Sequence, residues 1–220
     1  MTLLRFCLAV LGVGLASHAA AQDPVARVRS VGSAVLGRAD APLTMVEFSD
    51  YECSFCQQYH ATAFPGIKRD FIDTGKLRYV VRDFPLPAHR LAVGAARAAR
   101  CAGEEGKFWE MRGALFANTE ALDADRIVEL GRGLKLDEDR LRACVASDRH
   151  DEAIRADMAV AAAAGVHATP AFVLGPSDGD GVKGARFEGA QPYAAYAARI
   201  NALLQADRPR ADPAPGTAPR

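Results

Sequence analysis

The sequence lacks the features that would assign it to several broad classes of protein. Its 27 basic and 27 acidic side chains cancel, so it has no positive excess of the kind that nucleic-acid-binding proteins show. No apolar run reaches the roughly 20 residues that a membrane-spanning helix needs, and no internal repeat is visible. Five cysteines in 220 residues are too few for a small disulfide-stapled scaffold. The composition, 50% hydrophobic and 25% charged, instead predicts a globular domain of moderate size, or one domain with a large insertion.

The first 21 residues are predicted to be a signal peptide. Arg5 supplies a short positive region, and residues 6–16 are apolar. The small residues Ala19–Ala21 then offer a cleavage site. An uncleaved anchor and a buried first helix are the alternatives, but the apolar run is too short to span a bilayer, and with the alanine pattern this favours cleavage. Because Cys7 leaves with this segment, an exported mature chain keeps four cysteines, for which oxidation is the default.

The hydrophobic pattern of the mature chain predicts an α/β domain that is interrupted by a block of helices. Residues 22–34 are weakly patterned and are predicted to be a lead-in, residues 35–206 the domain, and the proline-rich residues 207–220 a disordered tail. The helical insertion covers about residues 88–164. The predicted elements are, in order, strand 43–49, helix 54–73 kinked at Pro65, strand 77–84, helices 88–102, 107–117, 123–133, 137–147 and 149–164, strand 169–174, hairpin loop 175–184, a possible edge strand 185–188 and helix 191–206.

Cys53 and Cys56 lie where the first predicted strand gives way to a helix. Residues three apart share one helix face, so the two cysteines can close a small disulfide. The first turn of a helix presents unpaired N–H groups and the positive end of the dipole, which lower the pKa of a thiol there. Cys53 is therefore predicted to be the exposed, attacking sulfur and Cys56 the shielded, resolving one. A structural disulfide and half of a zinc site are the alternatives, although zinc usually needs a second close pair of ligands, and no metal is predicted.

Several segments resemble the DsbA-like branch of the thioredoxin superfamily. They are Glu47–Cys56, Gly106–Met111, Leu115–Asn118 and Gly165–Phe172. The resemblance extends over about residues 35–204. It implies a thioredoxin fold with an inserted helical subdomain and a redox-active cysteine pair that needs no cofactor. It also implies action on cysteine-containing exported proteins in the bacterial periplasm.

The same resemblance suggests roles for residues around the cysteine pair. Pro170 matches a cis proline that faces Cys53, and the backbone of Thr169 would pair with an extended substrate. From the sequence alone, a trans proline that opens a strand is the commoner case. Glu47 matches a buried acid that moves protons to and from Cys56, since burial raises the pKa of a carboxyl group. A solvent-facing position on an alternating strand is the alternative for Glu47.

Ser54 and Phe55, the residues between the cysteines, depart from the family pattern. Family members often carry proline after the first cysteine, and the strongly oxidising ones carry histidine before the second. Ser54 can still form a hydrogen bond near the thiolate and Phe55 can contact a substrate, but Phe55 brings no positive charge. We therefore expect a less depressed pKa of Cys53 and a less oxidising couple than in those enzymes.

Cys101 and Cys144 lie in different helices of the predicted insertion. In an oxidising compartment they are predicted to form a structural disulfide. Two free thiols, or a relay that passes electrons to Cys53, are the alternatives. Trp109 is predicted to lie in the core. Four histidines show no ligand spacing and are predicted to lie on the surface or in loops: His60, His89, His150 and His167.

These observations favour a periplasmic thiol–disulfide oxidoreductase that donates the Cys53–Cys56 disulfide to exported proteins and is served by a membrane redox partner. A disulfide isomerase or reductase, kept reduced by a membrane partner, is the second enzymatic alternative. Isomerases of this superfamily usually add an N-terminal dimerisation domain, for which residues 22–41 are too short, so we expect a monomer and favour the oxidase. A metal-binding or chaperone-like module is the alternative without enzymatic activity.

Overall fold

The computed structural model describes residues 23–29, 34–179 and 181–206. The predicted signal peptide and the predicted tail lie outside these described residues. Among the helices in the described ranges, none is both long enough and apolar enough to cross a membrane.

One mixed sheet of six strands forms the centre of the molecule, in the spatial order β1-β6-β5-β3-β4-β2. β3 and β4 are parallel, and the other neighbouring strands are antiparallel. The strands are β1 (Val25–Arg29), β2 (Ala34–Leu36), β3 (Leu43–Ser49), β4 (Leu77–Asp83), β5 (Ala171–Asp178) and β6 (Gly181–Glu188). β3 is buried along its whole length, because it lies between two strands and beneath helices.

The helices divide into three that belong to the strand–helix frame and five that are inserted between β4 and β5. The frame helices are α1 (Ser54–Thr62), α2 (Phe64–Ile67) and α8 (Tyr193–Ala206), with a π-helical turn, Lys68–Ile72, after α2. The inserted helices are α3 (Ala92–Glu104), α4 (Phe108–Phe116), α5 (Ala124–Gly133), α6 (Glu138–Ala146) and α7 (Asp151–Ala163). The predicted α/β fold with a helical insertion is therefore confirmed.

Several of the predicted boundaries are wrong. The predicted lead-in contains β1, which pairs with β6 at one edge of the sheet. The predicted hairpin loop 175–184 is mostly strand, because Ser177 pairs with Val182 and Asp178 with Gly181. Its glycines fit the strands because neighbouring backbone lies close: a Cβ on Gly184 would lie 2.0 Å from the Leu174 carbonyl oxygen. β6 is consequently an inner strand and not the predicted edge.

The predicted helix from residue 88 begins later, at Ala92, and the long predicted helix after Cys53 is divided. Residues 84–91 form a loop whose backbone and side chains bond to the turn that carries the cysteines. The division at residue 63 follows from Pro65, which has no N–H to donate and sits in the first turn of α2.

The two faces of the sheet and the insertion each have their own apolar core. The first face packs against α1, α2 and α8, chiefly through aromatic side chains that include Tyr59, Phe64, Phe172 and Tyr196. The second face packs against α7. The core of the insertion includes Cys56 and therefore continues into the base of α1.

A buried ion cluster ties the insertion to the sheet. Arg100 of α3 donates to Asp83 at the end of β4 (2.6 Å) and to Asp157 of α7 (2.5 Å). Arg82 pairs with the other oxygen of Asp157. Burial raises the pKa of both carboxyl groups. Because these charges are largely buried, the cluster holds α3, α7 and β4 in one arrangement.

Candidate active site

Cys53 is the N-cap residue of α1, directly after the turn that follows β3. Its N–H donates to the Asp50 carbonyl oxygen (3.3 Å), and its own carbonyl accepts the first helical bond, from Gln57 N (3.0 Å). Cys56 lies one turn further along and is fully buried. Cys53 is only 6% exposed, so the expectation of an exposed Cys53 is wrong. The loop that carries Thr169 covers its sulfur.

The pKa values of the two thiols are shifted in opposite directions. The hydrogen bond from Cys56 is the largest of the influences that lower the pKa of Cys53 to about 5, and the contacts with Thr169 and with the backbone of Phe55 and Cys56 add to it. Burial raises the pKa of Cys56 well above its ordinary value, and the neighbouring sulfur and the charge of Glu47 raise it further. Of the two sulfurs, Cys53 is therefore the one that exists as a thiolate at neutral pH.

Thr169 and Pro170 form the wall opposite Cys53. The peptide bond between them is cis. Cys53 Sγ lies 3.4 Å from the Thr169 carbonyl oxygen, to which the thiol donates. The Pro170 carbonyl oxygen accepts a hydrogen bond from Gly189 N (2.8 Å), which fastens this wall to the end of β6.

Phe55 stands out into solvent beside this wall, with 60% of its surface exposed. Ser54, the first residue of α1, is also exposed. Phe55 and Thr169 line a cleft of about 410 Å³. The other residues of the cleft are Ala168, Glu188, Gly189 and Ala190.

Glu47 lies in β3, beneath α1, and is fully buried. Its Oε2 accepts hydrogen bonds from Arg112 Nη2 (2.6 Å) and from the Tyr79 hydroxyl. The Tyr79 hydroxyl is in turn 3.1 Å from that of Tyr59. The alternative of a solvent-facing Glu47 is therefore excluded. The charge of Glu47 contributes to the raised pKa of Cys56.

Arg112 is a site residue that the sequence analysis missed. It is fully buried, and its guanidinium lies over the rings of Phe116 (4.8 Å) and Tyr51 (5.8 Å). It belongs to α4, far from Glu47 in sequence, so strand spacing gave no reason to join the two. The one available signal was an arginine among the apolar residues Met111, Leu115 and Phe116 of a predicted helix.

Two histidines near the cysteine pair have specific surroundings. His60 packs between the rings of Phe64 (5.1 Å) and Phe116 (4.9 Å). Burial lowers its pKa to about 4, and the charge of Arg112 contributes. His89 lies in the loop 84–91, with Nδ1 2.7 Å from Asp50 Oδ2. His89 is thus the loop residue that the sequence predicts, whereas His60 lies in α1 and packs against aromatic rings.

Cys101 and Cys144 are joined in a disulfide that links α3 to α6. Their sulfurs lie within 4.8 Å of a His150 nitrogen, but they are bonded to each other and so are not thiolate ligands for a metal.

The structure therefore brings Cys53, Cys56, Ser54, Phe55, Thr169 and Pro170 together, with Glu47 beneath them, and sets the second cysteine pair in the inserted helices.

Comparison with known proteins gives one family and a consistent fold. A family model described as thioredoxin matches residues 29–202. A Na⁺/H⁺ antiporter NhaA of Herminiimonas arsenicoxydans is 36% identical over 176 residues, which are 79% of this chain and 25% of that protein. An antiporter NhaA 1 of Salinispora arenicola is 34% identical and is matched over 26% of its length. The chain thus spans about a quarter of the length of these curated relatives. The two matches cover 79% and 82% of this chain.

Two solved structures are similar to most of this chain. The crystal structure of α-DsbA1 from Wolbachia pipientis is 24% identical with a TM-score of 0.72, over 79% of this chain and 92% of that one. Oxidised BdbD from Bacillus subtilis is 22% identical with a TM-score of 0.73, over 84% and 100% of the two chains. These similarities support the fold described above.

Proposed function

This chain belongs to the thioredoxin family, and we propose that it is a DsbA-like thiol–disulfide oxidoreductase that oxidises cysteine thiols of exported proteins in the periplasm. The observation that carries the proposal is the placement of Cys53 Sγ against the Thr169 carbonyl, before the cis Pro170. The attacking sulfur, the resolving sulfur and a wall for an extended peptide thus meet at one point.

The reaction that fits this site is a two-step exchange. A substrate thiolate attacks Cys53 Sγ of the disulfide, the Cys53–Cys56 bond breaks, and the electron pair leaves with Cys56. A second substrate thiolate then attacks the substrate sulfur of the mixed disulfide, and Cys53 leaves as a thiolate. Two substrate thiols become one disulfide, the pair takes up two electrons, and the substrate thiols release their protons.

The oxidase direction is supported by the unequal pKa values of the pair. A thiolate that is stable at neutral pH leaves readily, so the lowered pKa of Cys53 favours the reduced enzyme and makes its disulfide the better oxidant. The signal-peptide pattern of residues 1–21 supports export to a compartment where such an oxidant acts. A membrane redox partner would then return the pair to the disulfide.

Substrate binding is proposed to use the backbone of Thr169 together with Ser54 and Phe55. A peptide lying along Thr169 can form main-chain hydrogen bonds there, as in other cases of strand addition. Phe55 offers an exposed apolar surface at the mouth of the cleft. Contacts of this kind recognise the backbone and the apolar side chains of a substrate but no particular sequence, which suits an enzyme with many protein substrates.

Glu47 is proposed to pass a proton to Cys56 when that sulfur leaves the disulfide and to take it back when the disulfide re-forms. Cys56 leaves as a thiolate in the first step but has a raised pKa, so it must take up a proton in an interior that excludes bulk water. Glu47 is the carboxylate whose charge acts on that sulfur. Its bonds to Arg112 and Tyr79 keep it in place.

Oxidative refolding of reduced ribonuclease A tests the proposal. The oxidised wild-type protein should restore ribonuclease activity well above the uncatalysed rate, and Cys53→Ser and Cys56→Ser should each return the rate to background. The double variant Cys101→Ser/Cys144→Ser is the matched control, since it removes the other cysteine pair and should keep the activity. A Cys53→Ser variant that refolds ribonuclease as fast as wild type would contradict the proposal.

A further inference from the structure

The loop 84–91 lies against the turn that presents Cys53. Leu91 N donates to the Glu52 carboxylate (2.5 Å), and Leu86 N donates to Asp50 Oδ2 (2.7 Å). Glu52 N donates to Asp50 Oδ1 (2.8 Å). The buried carboxylate of Asp50 therefore joins the loop to the turn, and the Asp50 carbonyl accepts the N–H of Cys53.

Asp50 also orients the side chain of His89. The 2.7 Å contact joins His89 Nδ1 to Asp50 Oδ2. A carboxylate only accepts hydrogen bonds, so Nδ1 carries a proton and donates it. The His89 side chain remains 28% exposed, which leaves the ring free to take up a second proton from water.

The groups whose charges raise the pKa of His89 are Asp50 and Glu52 of the turn and Cys53 itself. Burial opposes the charged form of His89, but the bond to Asp50 and the charges of Asp50, Cys53 and Glu52 outweigh it and raise the pKa of His89. The positive charge that Phe55 does not bring is thus available from a different part of the chain.

We propose that His89, oriented by Asp50, supplies the positive charge that stabilises the Cys53 thiolate when it leaves the mixed disulfide. This inference rests on the proposed thiol–disulfide exchange. In the second step the bond between Cys53 Sγ and the substrate sulfur breaks, and its electron pair stays on Cys53. The imidazolium of His89 keeps its protons and acts only through its charge, so His89 is a positioning residue.

His89→Gln separates this role from a structural one. The glutamine amide can donate to Asp50 as His89 does, but it carries no charge at any pH. The pKa of Cys53, followed by thiolate absorbance at 240 nm, should rise by about one unit. The equilibrium constant with glutathione should fall about tenfold, which corresponds to a potential about 30 mV lower. The difference in the glutathione equilibrium should be largest between the pKa of Cys53 and the pKa of His89, where Cys53 is a thiolate and His89 is charged, and it should vanish in alkali above the pKa of His89.

His150→Gln is the matched control, because His150 also lies on an acid, Glu104 (3.0 Å), but in the inserted helices. It should leave the pKa of Cys53 and the glutathione equilibrium unchanged. An unchanged pKa and equilibrium in His89→Gln would overturn the role of His89. A wild-type protein that exchanges no disulfides would instead overturn the proposed function.

A titration of the unaltered protein gives the same answer should His89→Gln not fold. Coupling between two charges is reciprocal, so the pKa of His89 must depend on whether Cys53 is a thiolate or part of a disulfide. Nuclear magnetic resonance of the His89 ring should give a pKa about one unit higher in the reduced protein than in the oxidised one. Equal pKa values in the two states would overturn the proposal.

Discussion

Glu47 and Arg112 are a charge pair with no exposed surface on either side chain. Taking two such charges out of water costs several kcal/mol for each, and their attraction offsets that cost only while both are present. The pair therefore contributes little net stability, but the loss of either partner alone is strongly destabilising. The pair also places the carboxylate of Glu47 beneath Cys56, where its charge adds to burial in raising the pKa of that sulfur.

Removing one partner of this pair should destabilise the protein far more than removing both. We expect Glu47→Gln and Arg112→Met each to lower the free energy of unfolding by about 3–5 kcal/mol, because each leaves a buried charge unpaired. The double variant should lose much less than the sum. Urea denaturation of the single and double variants measures the coupling.

An exposed pair gives the comparison. Arg149 and Glu104 are 3.0 Å apart and about half exposed, so Arg149→Met should change the free energy of unfolding by less than about 1 kcal/mol. Strictly additive losses for Glu47→Gln and Arg112→Met would mean that the buried pair does not act as a unit.

Functional residues that lie close together along the chain could be predicted from the sequence. The spacing of Cys53 and Cys56 at the start of a helix is such a case, and resemblance to a family pointed to Pro170. The positions of Arg112 and His89 depend on which elements pack together. Arg112 reaches Glu47 only because α4 packs against α1, and His89 meets Asp50 only because the loop 84–91 folds back over the turn. No spacing along the chain carries that information.

At the scale of elements, the Cys101–Cys144 disulfide closes a loop of 43 residues that contains α4 and α5. Closing such a loop removes conformational freedom from the unfolded chain. Together with Arg100, which bonds to both Asp83 and Asp157, it fixes α3 relative to α6, α7 and the sheet.

Cys101→Ser/Cys144→Ser should lower the free energy of unfolding by about 4 kcal/mol in the chain-entropy model. The variant should still exchange disulfides, since Cys53 and Cys56 are untouched. Guanidinium denaturation and the ribonuclease assay measure the two properties. A variant of full stability that no longer turns over would indicate the electron relay instead of the structural role.

Boundaries of elements were harder to predict than their order. β1 was missed because its burial alternates over only five residues and it gains stability from pairing with β6, a contact distant in sequence. The strand character of residues 175–184 was hidden by glycines, which usually indicate turns. Here Gly175, Gly181 and Gly184 permit the close approach of neighbouring strands.

At the scale of the whole molecule, the site lies between the core of the insertion and the sheet face that is covered by α1. Cys53 and Cys56 belong to the core of the insertion, Glu47 lies on the sheet face covered by α1, and the Thr169–Pro170 wall leads into β5. The insertion thus supplies Arg112 and the shielding of Cys56, while the strand–helix frame supplies the reacting sulfurs. The predicted order of elements gave the division into frame and insertion correctly, but it did not show which residues make contacts between the two parts.

The most direct test of the proposed oxidase is the redox state of Cys53–Cys56 in living cells. Cells that express the protein are quenched in acid, and free thiols are labelled with a maleimide that changes gel mobility. Cys53→Ser/Cys56→Ser fixes the position of unlabelled protein, because the remaining pair, Cys101–Cys144, is a disulfide. An oxidase predicts that Cys53 and Cys56 are mostly a disulfide and stay unlabelled. A pair that is mostly reduced and doubly labelled would contradict donation and favour a reductase or isomerase.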